Sequence, residues 1–271
     1  MKFISRIPSF PLNNFVEYIL HYEDYNPTHT KEKILPDGGI DLLIDLTEEP
    51  KMIFCNDDYS KFRTVKKGWI SGIRKEFITI GASHQAMVVV RFKPGRAFPF
   101  FRFPLSELTD RIIELDEIWN SRFLHFRDKL INIDVPEKRV MTVENFLLDI
   151  SKNKLDLCSS IEISLKELGK HKNSFKIKEL AEKVGYSHKH LVHLFEEKVG
   201  ITPKYYSRII KFQQAVMSLE KRQNVDWFDL AYQCSYYDQS HFVNEFKKFS
   251  GLNPTSYLKE KGEIVNYIPV F

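Results

Sequence analysis

One small pattern occurs twice near the end of this 271-residue chain, and the repetition limits the folds open to it. The first copy reads GYSHKHLVHLFEEKVGITPKYY over residues 185–206, and the second reads SYYDQSHFVNEFKKFSGLNPTSYL over residues 235–258. The upstream Leu-Ala pairs, Leu180-Ala181 and Leu230-Ala231, are 50 positions apart. The later Phe, Gly, Pro and Tyr of the two copies are 51 positions apart, so the second copy holds one extra residue. A solenoid needs about three or more repeats. Two copies therefore predict a tandem pair of small modules.

Each copy carries the local signals of two short helices joined by a tight turn. In the first copy Gly185 permits the turn, Ser187 is a suitable N-cap for the second helix, and Gly200 ends that helix. In the second copy Asp226 and Asp238 stand at the two N-caps. The pattern predicts two helix-turn-helix units. The expected longer elements are the second helix of each unit and one helix between the units, near residues 188–198, 239–249 and 204–220.

Helical periodicity separates buried from outward-facing positions on the two second helices. With the large apolar residues turned inward, the other positions of each helix share one polar face. These outward-facing residues are Lys189, Val192, His193 and Glu196 in the first helix, and Gln239, Ser240, Val243, Asn244 and Lys247 in the second. A single polar face is usually a solvated face, but two matching faces in tandem favour a common binding surface.

The positive charge of the chain lies in the same region. Residues 1–170 contain 25 Lys and Arg against 25 Asp and Glu, whereas residues 171–262 contain 15 against 10. The formal net charge of the whole chain is +4, and this excess comes from the repeated region. A basic surface attracts nucleic-acid phosphates, so charge and repetition both indicate DNA as a partner.

The two copies together resemble the DNA-binding domain of the AraC/XylS transcription regulators, over residues 172–260. The most specific part is the second copy, where DQSHF is followed by FK and then by G-x-x-P. In that family two helix-turn-helix units place their recognition helices in successive segments of the major groove. The resemblance implies double-stranded DNA as the partner, with RNA polymerase and a second copy of the chain as further expected partners.

The resemblance also assigns roles to individual positions, and these fall on the outward faces that periodicity predicts. The implied base-reading residues are Lys189, Val192, His193, Gln239, Ser240 and Asn244, and the implied phosphate contacts are Lys247 and Lys248. Some positions depart from the family pattern: Ser235 stands where glycine is usual, His193 and Asn244 stand where arginine is frequent, and Glu196 brings a negative charge to the first face. These departures leave the recognised DNA sequence open.

Residues 1–170 show a strand-like pattern followed by a helical one. Four short apolar or β-branched runs, at residues 40–46, 51–55, 77–82 and 87–94, are separated by turn signals. After residue 105 the spacing becomes helical. One apolar face comprises Val140, Val143, Phe146, Leu147 and Ile150, and another comprises Leu157, Ile161, Leu165 and Leu168. These faces would form a dimer interface or pack on the rest of the chain, and we favour packing.

We therefore expect an α+β chain with two domains. Residues 1–170 are predicted to form a small antiparallel β barrel or sandwich with helices, and residues 171–271 an all-α domain of two helix-turn-helix units joined by a long helix. A short polar linker is expected at residues 171–174. The runs LPDGGIDLLIDL, WISG and VVRFKPGRAFPFFRF also resemble the cupin-like sensor or dimerisation domain of a bacterial AraC subfamily, over residues 10–130.

The run PGRAFPFFRF offers a candidate site for a small-molecule effector. Arg96 and Arg102 stand near Phe98 and Phe100, and together they would line a pocket for an anionic or aromatic ligand. Core packing of the aromatic rings, with the arginine side chains reaching solvent, explains the same pattern equally well. Both interpretations stay open at the level of sequence.

The histidines and cysteines show no metal-site spacing. His21, His29, His84 and His125 are scattered, His188 and His190 would point to different sides of a helix, and Cys55, Cys158 and Cys234 lie far apart, as suits a reducing cytoplasm. We expect no metal or other cofactor and no enzymatic activity. The first residues do not read as a signal peptide, and no apolar run reaches the length of a membrane span. We therefore expect a cytoplasmic chain without a membrane partner.

The predicted function is that of a sequence-specific DNA-binding transcription regulator, controlled by a small molecule or by dimerisation through the front half. The alternative is a cupin-like ligand-binding protein or metal-dependent enzyme whose helical tail makes protein contacts. That alternative predicts DNA binding without sequence preference, together with a bound metal or a tightly held small molecule.

Overall fold

The computed structural model describes residues 2–83, 85–152, 154–170, 176–220 and 225–271. The strands in these ranges are β1 (Lys2–Arg6), β2 (Val16–Tyr25), β3 (Lys31–Ile34), β4 (Ile40–Asp45), β5 (Lys51–Cys55), β6 (Asp58–Val65), β7 (Gly68–Ser71), β8 (Ile78–Gly81), β9 (Gln85–Phe92), β10 (Ile112–Glu114) and β11 (Tyr267–Val270). The helices are α1 (Phe98–Phe101), α2 (Leu115–Ile131), α3 (Pro136–Ser151), α4 (Ser159–Lys170), α5 (Ile177–Lys183), α6 (His188–Val199), α7 (Pro203–Glu220), α8 (Trp227–Gln233), α9 (Gln239–Ser250) and α10 (Pro254–Glu260). Short 3₁₀ turns occupy Leu12–Asn14 and Leu105–Leu108.

The front half is built on two antiparallel sheets. One sheet has the strand order β1-β2-β9-β4-β7-β10, and the other has the order β11-β3-β8-β5-β6. Strands of both sheets contribute to one apolar cluster, which includes the buried side chains of Trp69, Ile78 and Met87. The expected antiparallel β barrel or sandwich is confirmed, and these side chains fill its interior.

The four predicted strands correspond to β4, β5, β8 and β9. The longest strand, β2, was not predicted. Its sequence, VEYILHYEDY, mixes charged and polar residues with buried ones, so it lacks an uninterrupted apolar segment like the one at residues 86–90 of β9. Strand β6 also contains charged residues. It lies at the edge of its sheet, where most of its side chains are exposed.

Helices α2 and α3 pack on strands of the first sheet, and α4 contacts helices of the C-terminal half. The apolar face predicted for α3 is buried, and this helix contacts β1, β2, α1 and α2. Helix α4 buries Ile161 and Leu168 and contacts α6 and α7. Packing within the chain is therefore the observed role of both faces. Leu157, which precedes α4, is the exception because it is exposed.

The C-terminal half contains the two predicted helix-turn-helix units. The first consists of α5 and α6, the second of α8 and α9, and α7 connects them. The expected linker at residues 171–174 lies outside the described residues. One feature of the tail differs from the expectation: β11 pairs antiparallel with β3, with Tyr267 opposite Ile34 and Val270 opposite Lys31. Residues 267–270 thus belong to the five-stranded sheet of the front half, although the sequence predicted an all-α region there.

Candidate nucleic-acid interface

The second helices of the two units, α6 and α9, begin and end at equivalent positions. The Ser187 side chain accepts a hydrogen bond from the backbone N–H of His190 at 3.2 Å, and the Asp238 side chain accepts one from the N–H of His241 at 2.7 Å. Both helices end at a glycine with positive φ, Gly200 at 103° and the corresponding glycine of the second unit at 72°. The predicted caps are confirmed, and they give the two helices the same length.

Both helices bury one apolar face and leave the opposite face in solvent. The fully buried side chains are Leu191, Phe195 and Val199 in α6 and Phe242, Phe246 and Phe249 in α9. Of the predicted base-reading residues, Val192 is half-buried and the others, Lys189, His193, Gln239, Ser240 and Asn244, are exposed. Lys247 and Lys248 are exposed near the C-terminal end of α9. The structure therefore places all eight residues on the outward faces, while their contacts with DNA stay a prediction.

The turn of the second unit keeps its shape despite the missing glycine. Ser235 has φ of 61°, close to the 75° of Gly185 in the first unit. A residue with a Cβ atom is strained in this left-handed region. The ammonium group of Lys211 on α7 donates a hydrogen bond to the carbonyl oxygen of Ser235 at 3.1 Å, which helps to hold the turn.

The extra residue of the second unit is Tyr237. In the first unit the Tyr186 ring lies 4.5 Å from the ring of His190, and in the second unit the Tyr236 ring lies 5.5 Å from the ring of His241. Tyr236 thus takes the place of Tyr186, and Tyr237 is inserted directly before the Asp238 cap. Its side chain is 92% exposed. Sequence reasoning missed Tyr237 as a candidate contact residue, although the changed spacing between the repeats was the available signal.

An ion pair fixes α9 on the connecting helix α7. The Arg208 guanidinium donates to both carboxylate oxygens of Glu245, at 2.8 and 2.6 Å, and it lies 4.5 Å from the ring centre of Tyr205. Burial by itself would raise the pKa of Glu245, but the hydrogen bonds and charge of Arg208 outweigh burial and lower it. Glu245 is half-buried on the side of α9 that contacts α7, so this pair orients the outward face of α9.

The front half contacts both units at their helix C-caps. The Thr109 hydroxyl donates to the carbonyl oxygen of Gly200 at 2.5 Å. In the second unit Gly251 lies so close to Phe77 that an added Cβ atom would come within 2.7 Å of the ring. Between these two points, the Tyr205 hydroxyl of α7 donates to the carbonyl oxygen of Lys75 at 3.1 Å. The β7–β8 loop and the 3₁₀ turn before β10 thus support both units and the helix that joins them.

The LPDGG segment forms a second contact with α7. Arg91 binds the carboxylates of Asp37 and Asp41, the latter at 2.7 Å, and so holds the loop in shape. Burial raises the pKa of the Asp41 carboxyl, and Arg91 offsets only part of that rise. At the tip of the loop, Gly38 lies against the ring of Tyr206, where an added Cβ atom would be 3.0 Å away. The motif therefore docks the front half on the connecting helix.

Three of the four residues predicted for an effector pocket lie together. Arg96, Phe98 and Arg102 line a cleft of about 350 Å³, which Lys198 at the end of α6 also lines. Phe100 is only 2% exposed and packs on the ring of Phe92, so it belongs to the core rather than to this cleft. For Phe100, therefore, core packing is the correct interpretation of the run PGRAFPFFRF.

Within the described ranges, which leave out His84, no group of three or more His, Cys, Asp or Glu side chains is placed to hold a metal ion. His188, His190 and His193 are all exposed on α6. The helices in the described part of the chain are too short or too polar to cross a membrane.

Two sequence families match the chain. Residues 180–260 match a family described as a helix-turn-helix domain, and residues 5–114 match a domain of unknown function, DUF6597. The chain is 26% identical over 87 residues to an uncharacterized HTH-type transcriptional regulator from Haemophilus influenzae, and 40% identical over 65 residues to the uncharacterized HTH-type transcriptional regulator YbfI from Bacillus subtilis. These matches cover 32% and 24% of this chain and only 29% and 23% of the two relatives, so the chain matches less than a third of their length.

Solved structures from Vibrio cholerae and Geobacillus stearothermophilus align with this chain with TM-scores below 0.5. The apo K231A variant of ToxT from Vibrio cholerae has a TM-score of 0.49 and 12% identity, with 89% of this chain and 97% of that chain covered. ToxT with a bound unsaturated fatty acid has a TM-score of 0.46 and 12% identity, with 97% of each chain covered. The C-terminal domain of AraT, a response regulator from Geobacillus stearothermophilus, has a TM-score of 0.37 and 20% identity, with 39% of this chain and 88% of that chain covered.

Proposed function

We propose that this chain, whose residues 180–260 match a family described as a helix-turn-helix domain, is a sequence-specific DNA-binding transcription regulator of the AraC/XylS type. The observation that carries the proposal is the equivalence of α6 and α9. Both have a side-chain N-cap and a C-cap glycine at equivalent positions, a matching buried face and an exposed outward face, and one helix, α7, connects the two units. An α-helix fits the major groove of B-DNA, where each base pair presents a distinct pattern of donors and acceptors.

The outward faces suggest how the two helices share the work of recognition. On α9, Asn244 and Gln239 carry amides that suit the hydrogen-bonding edge of adenine, and on α6, Val192 suits a thymine methyl group. Lys189, His193 and Ser240 complete the proposed base-reading set. Lys247 and Lys248 suit phosphate contacts that position the protein without reading sequence.

The division of labour between the halves is also part of the proposal. Residues 171–271 bind DNA, and residues 1–170 sense a small molecule or pair two copies of the chain. The cleft beside α6 supports the sensing of a small molecule. The contacts of the front half with both helix-turn-helix units support control of DNA binding by a small molecule or by dimerisation. A regulator bound beside a gene acts through RNA polymerase, which is the protein partner that this proposal implies.

Selection from a random duplex library tests the proposal. The full-length chain is bound to the library at about physiological salt, because affinities for DNA depend steeply on salt. We expect enrichment of one motif with two blocks separated by about one helical turn, roughly 34 Å. Binding that enriches no motif would contradict the proposal and would favour a helical tail that serves other contacts.

A further inference from the structure

We infer that Tyr237, the residue inserted before the second recognition helix, donates its hydroxyl to a phosphate of the DNA strand that borders the second block of the site. This inference rests on the proposed function, because it adds a contact to the same interface. It also makes the two units unequal. The first unit has no residue at this position, since Tyr186 is followed directly by the N-cap Ser187.

The Tyr237 side chain takes no part in holding the folded chain together. It is 92% exposed, and among the described residues its hydroxyl has no hydrogen-bond partner and its ring has no aromatic neighbour. The preceding residue, Tyr236, differs on each point, because it is 7% exposed and its ring packs on those of His241 and Phe242. The inserted tyrosine therefore presents a large ring and a free hydroxyl to solvent.

The backbone on both sides of Tyr237 is held in place. Before it, the carbonyl oxygen of Ser235 accepts a hydrogen bond from the Lys211 ammonium at 3.1 Å. After it, the Asp238 side chain accepts from the backbone N–H of His241 at 2.7 Å. The inserted residue thus has a fixed place relative to α9, so a contact made by its side chain requires little ordering of the backbone.

This place is next to the proposed base-reading residues but outside the helix. Consecutive Cα atoms are 3.8 Å apart, so the Cα atom of Tyr237 is within about 8 Å of that of Gln239, the first residue of α9. The N-terminal residues of a recognition helix contact base edges in the major groove. A residue that precedes them lies at the rim of the groove, where the sugar-phosphate backbone runs.

The chemistry of the side chain suits a phosphate. Tyrosine is among the residues that contact phosphate oxygens in protein–DNA interfaces. Its hydroxyl is a neutral donor, and a hydrogen bond to an ionised acceptor is stronger than one to a neutral acceptor. A neutral donor releases no counterion from DNA, which distinguishes the inferred contact of Tyr237 from that proposed for Lys247.

Paired changes in the protein and the DNA test the inference. The probe is the duplex that the full-length protein selects, prepared as a series in which one phosphate at a time is replaced by an uncharged methylphosphonate. One replacement at the edge of the second block should weaken binding of the parent protein about five- to tenfold. The same replacement should lose most of its effect in Tyr237→Phe, which keeps the ring but lacks the hydroxyl.

Salt dependence and sequence preference give an independent measurement. On the unmodified duplex and its single-base variants, Tyr237→Phe should weaken binding by one common factor of about five to ten. The slope of log affinity against log salt should stay unchanged, because no charge is lost.

Tyr59→Phe is the matched control. Within the ranges that the structure describes, the Tyr59 hydroxyl also lacks a hydrogen-bond partner, and Tyr59 lies on β6, the edge strand opposite to β11. This variant should bind DNA like the parent protein. Thermal unfolding shows whether each variant is folded.

Three results would each overturn the inference. Tyr237→Phe could bind the selected duplex like the parent protein, its loss of affinity could be confined to particular base pairs, or every methylphosphonate could keep its full effect in the variant. If the protein still selects a DNA motif, any of these results removes only this contact and leaves the proposed regulator intact. A protein that selects no motif removes both.

Discussion

Arg208 on the connecting helix holds Glu245 on the second recognition helix through two hydrogen bonds of 2.8 and 2.6 Å. The equivalent position in the first unit is Leu194, so the two recognition helices are fixed to the chain by different means. The first relies on apolar packing and on the front half, which its C-cap contacts through Thr109. The second relies in part on a charge pair, which makes its orientation sensitive to the protonation of one carboxyl group.

We predict that Glu245→Gln lowers the free energy of unfolding by about 1 kcal/mol near neutral pH, with allowance for solvent screening of this partly exposed pair. The folded-state pKa of Glu245 is lowered, so its contribution to stability is present above the unfolded value near 4.5 and is lost as the pH falls through the folded value. Denaturant unfolding at neutral pH and below pH 4 should therefore show a difference between variant and parent that shrinks in acid. Glu179→Gln on the exposed side of α5 is the control. A difference that persists unchanged in acid would contradict the assigned ion pair.

Ser235 in the turn of the second unit and Gly185 in the turn of the first both have positive φ, so substitutions at the two positions can be compared. Ser235→Gly should raise the free energy of unfolding by about 1 kcal/mol, because glycine adopts positive φ without strain. Gly185→Ala should lower it by about 1–2 kcal/mol. An added Cβ atom at Gly185 would meet no atom within 4 Å, so that effect is conformational only. Chemical denaturation of both variants measures the changes in the free energy of unfolding. Changes of the same sign in the two variants would refute the equivalence of the two turns.

Asn244 should read sequence. We predict that Asn244→Ala changes discrimination at one or two base pairs of the selected site, at a cost of about 1–3 kcal/mol for the preferred base. His193→Ala, at the equivalent position of α6, should alter base pairs in the other block of the site. Binding to a panel of single-base variants of the selected duplex measures both effects. An unchanged preference in Asn244→Ala would mean that the outward face of α9 is not the reading face.

Lys247 should position the protein without reading sequence. We predict that Lys247→Ala weakens binding to all duplexes of the panel by a similar factor and lowers the slope of log affinity against log salt by about one. Lys129→Ala, in the last turn of α2 and outside the helix-turn-helix units, is the matched loss of a positive charge. Titrations at several salt concentrations provide the slopes. A loss of affinity confined to particular base pairs would assign Lys247 to the bases instead.

The features that sequence predicted are those set by residues close together in the chain. The N-caps at Ser187 and Asp238 depend on groups three positions away, and the buried faces of α6 and α9 depend on spacings of three and four. The strands β4 and β9 are short, mainly apolar runs between turn signals. Each of these patterns has a local cause that a single sequence displays.

The missing features depend on contacts between distant segments. Gln213 of α7 donates to the carbonyl oxygen of Pro36 across 177 positions, and no local pattern marks the LPDGG loop as the partner of that helix. The strand β11 becomes a strand because β3 offers it an edge, and its sequence YIPV is too short to indicate this. The cleft beside Arg96 is similar: the run PGRAFPFFRF suggested a ligand, but the contribution of Lys198 appears only when α6 is in place.

We propose that α6 and α9 act as one rigid pair on one face of DNA. The most direct test is binding of the full-length chain to the selected duplex and to the same duplex with about half a helical turn, roughly five base pairs, inserted between its two blocks. We expect the insertion to reduce affinity towards the non-specific level, a loss on the order of 10³-fold or more, because the connecting helix and the front half hold the two helices at one spacing. Equal affinity for both duplexes would contradict a rigid pair, since it would show that the two units bind independently or that only one of them reads DNA.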